Sequence, residues 1–156
     1  MLRELQVTKD KPANSMHKAE KAVVTGMAVV KDKDNFIFKL PTDDDTVADL
    51  FFVDKERVPS GCNAARGDMP DYDADFVNVE KDEFAKLIAY YPGERFATDQ
   101  IEPSSLNKGD RLAAGTDGKL KKATQASRYV FKGYWEDAGH KLGIVEVSDT
   151  AATAGE

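Results

Sequence analysis

Turn-forming residues interrupt this chain so often that no long regular element fits between them. From residue 23 onward, short apolar runs recur roughly every 8–12 residues, each ended by Gly, Pro, Asp or Asn. That is the spacing of an all-β sandwich or small β-barrel. The clearest case is "LNKGDRLAAGTDGKLKKA", residues 106–123. Asp117-Gly118 sits between Arg111-Leu112-Ala113-Ala114 and Lys119-Leu120-Lys121-Lys122. A tight hairpin turn needs positive φ, which Gly adopts without steric cost, so the pair predicts a hairpin. Asn107-Lys108-Gly109-Asp110 predicts a second turn just before it. These glycines do not make a phosphate loop. That motif needs four residues between its glycines and then Gly-Lys-Ser/Thr, and here Leu120 follows Lys119.

The same grammar runs along the chain. "AVVTGMAVVKDKDNFIFKLP" gives a β-rich run broken by a bulge or turn at Gly26, a turn over Lys31–Asn35 and a strand in "NFIFKL". "VADLFFVD" predicts another strand, and the polar stretch from Lys55 to Asp75 reads as loop. "VEKDEFAKLIAYY" is ambiguous, since Phe84, Leu87, Ile88 and Tyr91 fall at helical spacing. Pro92-Gly93 with aromatic flanks favours strand–turn–strand, continuing through "ERFATDQI". "RYVFKGYW" and "KLGIVEVS" predict two strands joined around Glu136-Asp137-Ala138-Gly139. There is no internal repeat and no βαβ alternation.

The expected organisation is one β domain over residues 23–149, an extended N-terminal arm over 1–22 and a flexible tail over 150–156. Ordering the arm costs on the order of 20–40 kcal/mol of backbone entropy. Its large apolar side chains are Leu2, Leu5, Val7 and Met16, and full burial of all four returns only about 6–12 kcal/mol. The arm is therefore expected to stay mobile until a partner supplies a groove, with those four residues as its contacts.

Charge narrows the function. The net charge is −6, with 32% charged residues, which argues for a soluble protein and against a general nucleic-acid binder. Residues 41–103 carry 16 acidic and 6 basic side chains, whereas residues 104–142 carry 8 basic and 4 acidic. Such a two-signed exterior lets copies, or a copy and its partner, meet through complementary fields. No apolar run approaches the ~20 residues of a membrane span. The opening "MLRELQVTKDKPANS" lacks the apolar core of a signal peptide, and Cys62 as the one cysteine fits a reducing compartment.

Candidate chemistry is thin. His17 and His140 have no companion at ligand spacing and are expected to be exposed. Cys62 has no base near it in sequence. Asp71, Asp73 and Asp75 occupy positions 1, 3 and 5 of a calcium loop. The required Gly is Phe76 and the bidentate Glu is Asp82, so no metal is expected. Arg66-Gly67-Asp68 reads as a loop turn. The expectation is a protein that is not an enzyme and needs no cofactor.

Four segments together carry a resemblance: "VVTGMAVVKD", "YYPGERFATDQI", "LNKGDRLAAGTDGKLKKA" and "GHKLGIVEVSD". Their order is a strand, a run ending in "GERF", a "KGD" turn into a "DGKL" hairpin and a Gly-rich final strand. It resembles the small all-β decoration (cement) proteins of tailed bacteriophage heads, over roughly residues 22–149. The loop from Lys55 to Asp75 lies outside it. The resemblance implies a protein on the virion exterior, made in the host cytoplasm. Its partner would be the major capsid protein, and its form a homotrimer at three-fold or quasi-three-fold positions that stabilises the shell. No membrane is implied, and nucleic acid is not an expected partner.

Two rivals stand beside that reading. One is an OB- or SH3-like module that contacts nucleic acid through the basic aromatic segment 108–135. There Tyr129, Phe131, Tyr134 and Trp135 interleave with Arg128 and Lys132. The bland alternative is that those aromatics are simply one strand's core. The other rival is an enzyme whose site is assembled from dispersed residues.

Overall fold

The computed structural model of the protein describes residues 1–7, 16–55, 77–102 and 106–153, and every element among them is a strand. The fold is all-β, with curled sheets that form a half-barrel.

The larger sheet is built on local turns. Strands β12 (Ser127–Asp137) and β13 (His140–Ala152) form a long antiparallel hairpin. Its two-residue turn places Ala138 at φ 50 and Gly139 at φ 82, the paired positive φ whose twist matches the flanking strands. Strands β10 (Arg111–Ala114) and β11 (Leu120–Lys122) form the expected second hairpin, with Ala114 opposite Leu120 and Gly118 at φ 77. Strands β1 (Leu2–Gln6) and β9 (Arg95–Thr98) complete a six-stranded sheet in the order β1-β9-β13-β12-β10-β11.

The sheet curls until its far edge meets the chain that continues from β9. Leu120 N donates to Gln100 O (3.0 Å) and Glu102 N to Leu120 O (2.7 Å). Alternation then points Phe96, Leu112, Leu120, Phe131 and Val145 inward.

The smaller unit is a five-stranded sheet, β2-β5-β4-β6-β8. It comprises β2 (Lys18–Ala19), β4 (Ala28–Asp32), β5 (Ile37–Lys39), β6 (Phe51–Asp54) and β8 (Lys86–Ile88). Strand β2 is bonded on both sides. Lys18 N and Glu20 N donate to Phe36 O and Phe38 O, while Ala19 N donates to Glu83 O. This sheet also closes on itself, around Ala19, Val29, Phe38, Val53 and Leu87. Strands β3 (Val23–Val24) and β7 (Asn78–Val79) pair across one end. The stretch 79–91 is therefore strand and turn, and Pro92-Gly93 leads into β9 as the sequence reading preferred.

The two units share an aromatic core. Phe52 of β6 lies 4.4 Å, centroid to centroid, from Phe96 of β9, and Tyr90 stacks on Phe96 at 4.2 Å and 10°. Tyr129 meets Phe52 edge-on at 5.9 Å. Rings at these separations add about 0.5–1.5 kcal/mol per pair beyond the area they bury.

The expected mobile arm over 1–22 is not what the described residues form. Residues 2–6 are β1, with Leu2 opposite Thr98 and Glu4 opposite Phe96, and Lys18–Ala19 are β2. Met1 is 2% exposed and packs with Ala97 and Leu142. Its amine donates to Thr25 O (2.9 Å) and to Asp99 Oδ1 (2.6 Å). Apolar burial is not all that holds this segment: a backbone ladder to β9 and the hydrogen bonds of the Met1 amine to Thr25 O and Asp99 add to it. The tail differs likewise: Thr150–Ala152 belong to β13, with Ala152 opposite Ser127. The outer edge of β1 is blunted by Arg3 and Glu4 and by an irregularity between Glu4 and Gln6. Charges and bulges of that kind discourage edge-to-edge pairing.

Candidate functional site

The four residues expected to make contacts are not gathered into one surface. Leu2 is half-buried against the main core, while Leu5, within β1, and Val7, just after it, are exposed. Met16, the most exposed of the four, precedes β2 in the other sheet. Cys62, Arg66-Gly67-Asp68 and Asp71, Asp73 and Asp75 lie outside the described residues, as does the loop after Lys55. Among the described residues no three His, Cys, Asp or Glu side chains are placed to hold a metal ion.

The basic aromatic segment resolves into core and surface. Tyr129 and Phe131 are buried, and Tyr134 meets Phe131 edge-on at 5.0 Å. The Lys141 ammonium covers the Tyr134 ring at 3.8 Å. Trp135 keeps 38% exposure. Rings spent in this way do not form a stacking platform for bases, which needs open faces.

His17 is buried, not exposed. In β2 and the residue before it, alternation turns Lys18 outward and His17 and Ala19 inward, and the His17 ring sits 6.0 Å from Phe36. Burial lowers the pKa of His17, and Lys31 lowers it further. The Met1 amine is lowered chiefly by burial, with Asp99 opposing. For both groups the unfolded chain binds more protons between the folded and unfolded pKa values. The stability they contribute is complete above the unfolded values and is lost as pH falls through the folded ones. Thermal melts should therefore rise in midpoint from about pH 6 to about pH 8. A midpoint that falls across that window contradicts the burial of both cations.

Around His17 the sequence builds a surface that its apolar pattern hides. Met16, Phe36 and Phe84 are 66%, 56% and 52% exposed, the three most exposed large apolar side chains among the described residues. Strand β2 holds them together. Lys18 N donates to Phe36 O, Lys18 bridges Phe84 across the seam, and the Lys18 ammonium lies 5.3 Å from the Phe84 ring centre. Phe36 sits at the tip of the β4–β5 hairpin, where Asp32 Oδ1 accepts from Asp34 N and Asn35 N. Phe36 has φ 52, a left-handed conformation that costs a bulky residue about 1–2 kcal/mol. Burial lowers the pKa of Lys31, and Lys33 lowers it further.

The segment after β5 has a different character. Asp43, Asp44 and Asp45 form a turn four to six residues beyond β5. Asp45 accepts from Thr124 N (3.1 Å), Gln125 N (3.1 Å) and Thr124 Oγ1 (2.5 Å). Asp44 pairs with Lys121 and accepts from Thr116 N, which holds its carboxyl below the usual range. These residues line an open polar cleft of about 590 Å³ with Glu102 and Lys122.

A second cleft, of about 350 Å³, is lined by Tyr90, Tyr129, Asp49 and Arg128 among others. Burial pushes the Tyr129 phenol up to about 12 and raises Tyr90 as well, so both stay neutral near pH 7. These surfaces present exposed rings beside the Lys18 ammonium in one place and carboxylates in another. No protein-family model, curated protein or solved structure matches this chain.

Proposed function

We propose that this chain is a structural protein of a bacteriophage particle that binds the outer surface of the head and stabilises the shell. It acts there as a trimer at three-fold or quasi-three-fold positions, and its partner is the major capsid protein. The observation that carries this reading is the arrangement of the segments on which the resemblance rests. "YYPGERFATDQI", "LNKGDRLAAGTDGKLKKA" and "GHKLGIVEVSD" supply β9, β10–β11 and β13, all in one sheet. "VVTGMAVVKD" supplies β3 and β4, beside that sheet through the Ala28 N to Gly118 O bond of 2.8 Å. Net acidity also suits a protein that works outside a DNA-filled shell.

The test is co-sedimentation of the purified chain with empty, expanded heads of the phage that encodes it. Saturable binding in multiples of three per shell site is the expected result. A chain left in the supernatant at every concentration removes the reading.

A further inference from the structure

We infer that the cleft between residues 47–49, Pro92 and the end of the β12–β13 pair away from its turn binds a small zwitterion with an apolar body, such as an apolar amino acid. The site goes beyond the reading of the chain as a shell protein and does not depend on it.

The inner side of the cleft is made of Tyr90, Tyr129 and Val147, all buried. Both rings are held in place, since Tyr90 stacks on Phe96 at 4.2 Å and Tyr129 meets Phe52 edge-on at 5.9 Å. Val47, Ala48, Pro92, Ala126 and Ala151 add short apolar side chains, none long enough to fold over and fill the space. The outer side carries two exposed charges of opposite sign, Asp49 and Arg128. They do not pair with one another, and neither side chain makes a hydrogen bond or ion pair with a described residue. Elsewhere on the surface such charges are engaged: Arg3 with Asp137, Arg95 and Lys132 with Glu146, Lys121 with Asp44. Both rim charges stand near the Tyr129 phenol. Burial dominates its pKa, and beyond that Arg128 lowers it and Asp49 raises it.

Opposite charges held apart over an apolar slot match a ligand that carries the same two signs in one small molecule. Its carboxylate meets the Arg128 guanidinium, whose planar fork suits a two-oxygen partner. Its ammonium meets Asp49, and its apolar body rests on the tyrosine side. A sugar fits less well, because the inner side offers two phenols and otherwise carbon. The volume of about 350 Å³ is near the lower end of the ~300–1,000 Å³ of ligand pockets, so the ligand is the size of one amino acid or a dipeptide.

The test is an NMR titration of the isotope-labelled full chain with L-leucine, to about 20 mM. Contacts to exposed charges are weak, so saturation is expected in the millimolar range. Amides of Ala48, Asp49, Arg128 and Tyr129 should shift along one common curve. N-acetyl-leucine, which lacks the ammonium, and leucinamide, which lacks the carboxylate, should each bind about threefold or more weakly. Asp49→Asn should keep the fold, since Asn tolerates the left-handed φ of 53 at this position. It should weaken leucine and leave N-acetyl-leucine unchanged, whereas Arg128→Gln should weaken leucine and leave leucinamide unchanged. A general loss of structure would not produce that crossed pattern. Leucyl-leucine giving the same pattern at the same amides supports the site and sets its length. Glucose binding there as tightly as leucine overturns the inference, and so does a titration without saturation or one that ignores both substitutions.

Discussion

Gly26→Ala is expected to cost about 3–5 kcal/mol, a large share of a small domain's stability. Two effects add. Gly26 has φ 96, where any Cβ is strained by about 1–2 kcal/mol. The new Cβ would also lie 2.5 Å from Thr98 Oγ1 and 2.6 Å from Met1 O. Neither atom is free to swing away. Thr98 is fully buried and donates to Gly26 O at 3.1 Å, and the Met1 carbonyl accepts from Asp99 N. Relief therefore requires moving the N-terminal segment out of the junction between the two sheets. Gly93→Ala is the control: φ is 87, but nothing lies within 4 Å of its Cβ. Only strain acts there, about 1 kcal/mol. Urea titration of both variants separates the two effects, and equal losses would show that the junction at Gly26 is loosely packed.

Asp99→Ala is expected to cost about 2–4 kcal/mol. Removing Asp99 leaves the Met1 amine, which is 2% exposed, with Thr25 O as its acceptor and without a counter-charge. The figure sits below that for a fully enclosed pair because Asp99 keeps 29% exposure. Acetylating the Met1 amine removes the other partner. In a double-mutant cycle the two changes should be strongly non-additive, since each abolishes the same contact. A loss under about 0.5 kcal/mol for Asp99→Ala, within the range of ordinary surface substitutions, would mean that the ladder between β1 and β9 holds the N-terminal segment without the ion pair.

These junction residues show where sequence reading stops. Asp117-Gly118, Asn107–Asp110 and Pro92-Gly93 were legible because turn chemistry is written in adjacent residues. Once those turns were placed, strand–turn–strand over 79–98 followed from the same logic. The pairing of Leu2 with Thr98 was not legible, because nothing local in "LRELQ" says which distant strand it joins. The seam between Lys18 and Phe84 was hidden for the same reason. Phe84, Leu87 and Ile88 look alike in a pattern of apolar residues, yet Phe84 points out while Ala85, Leu87 and Ile88 are buried. His17 is expected exposed because it falls in the stretch read as an arm, and nothing local marks Lys18–Ala19 as a strand that turns His17 inward. Phe36 carried a faint signal: a large ring directly after the Lys31–Asn35 turn has few ways to avoid solvent. In the segment 108–135 the bland reading of the aromatics accounts for Tyr129 and Phe131, and leaves Trp135 as the exposed ring.

The central claim concerns the shell, and calorimetry of the shell tests it most directly. Empty expanded heads should be heated with and without saturating amounts of the chain. A ligand that binds the assembled state and not the disassembled one raises the transition in proportion to RT ln(1 + [L]/Kd), about 2.7 kcal/mol per site at a hundredfold excess over Kd. The account predicts a shell transition that moves to higher temperature and keeps rising with added chain. A transition that stays in place while the chain melts independently would contradict it.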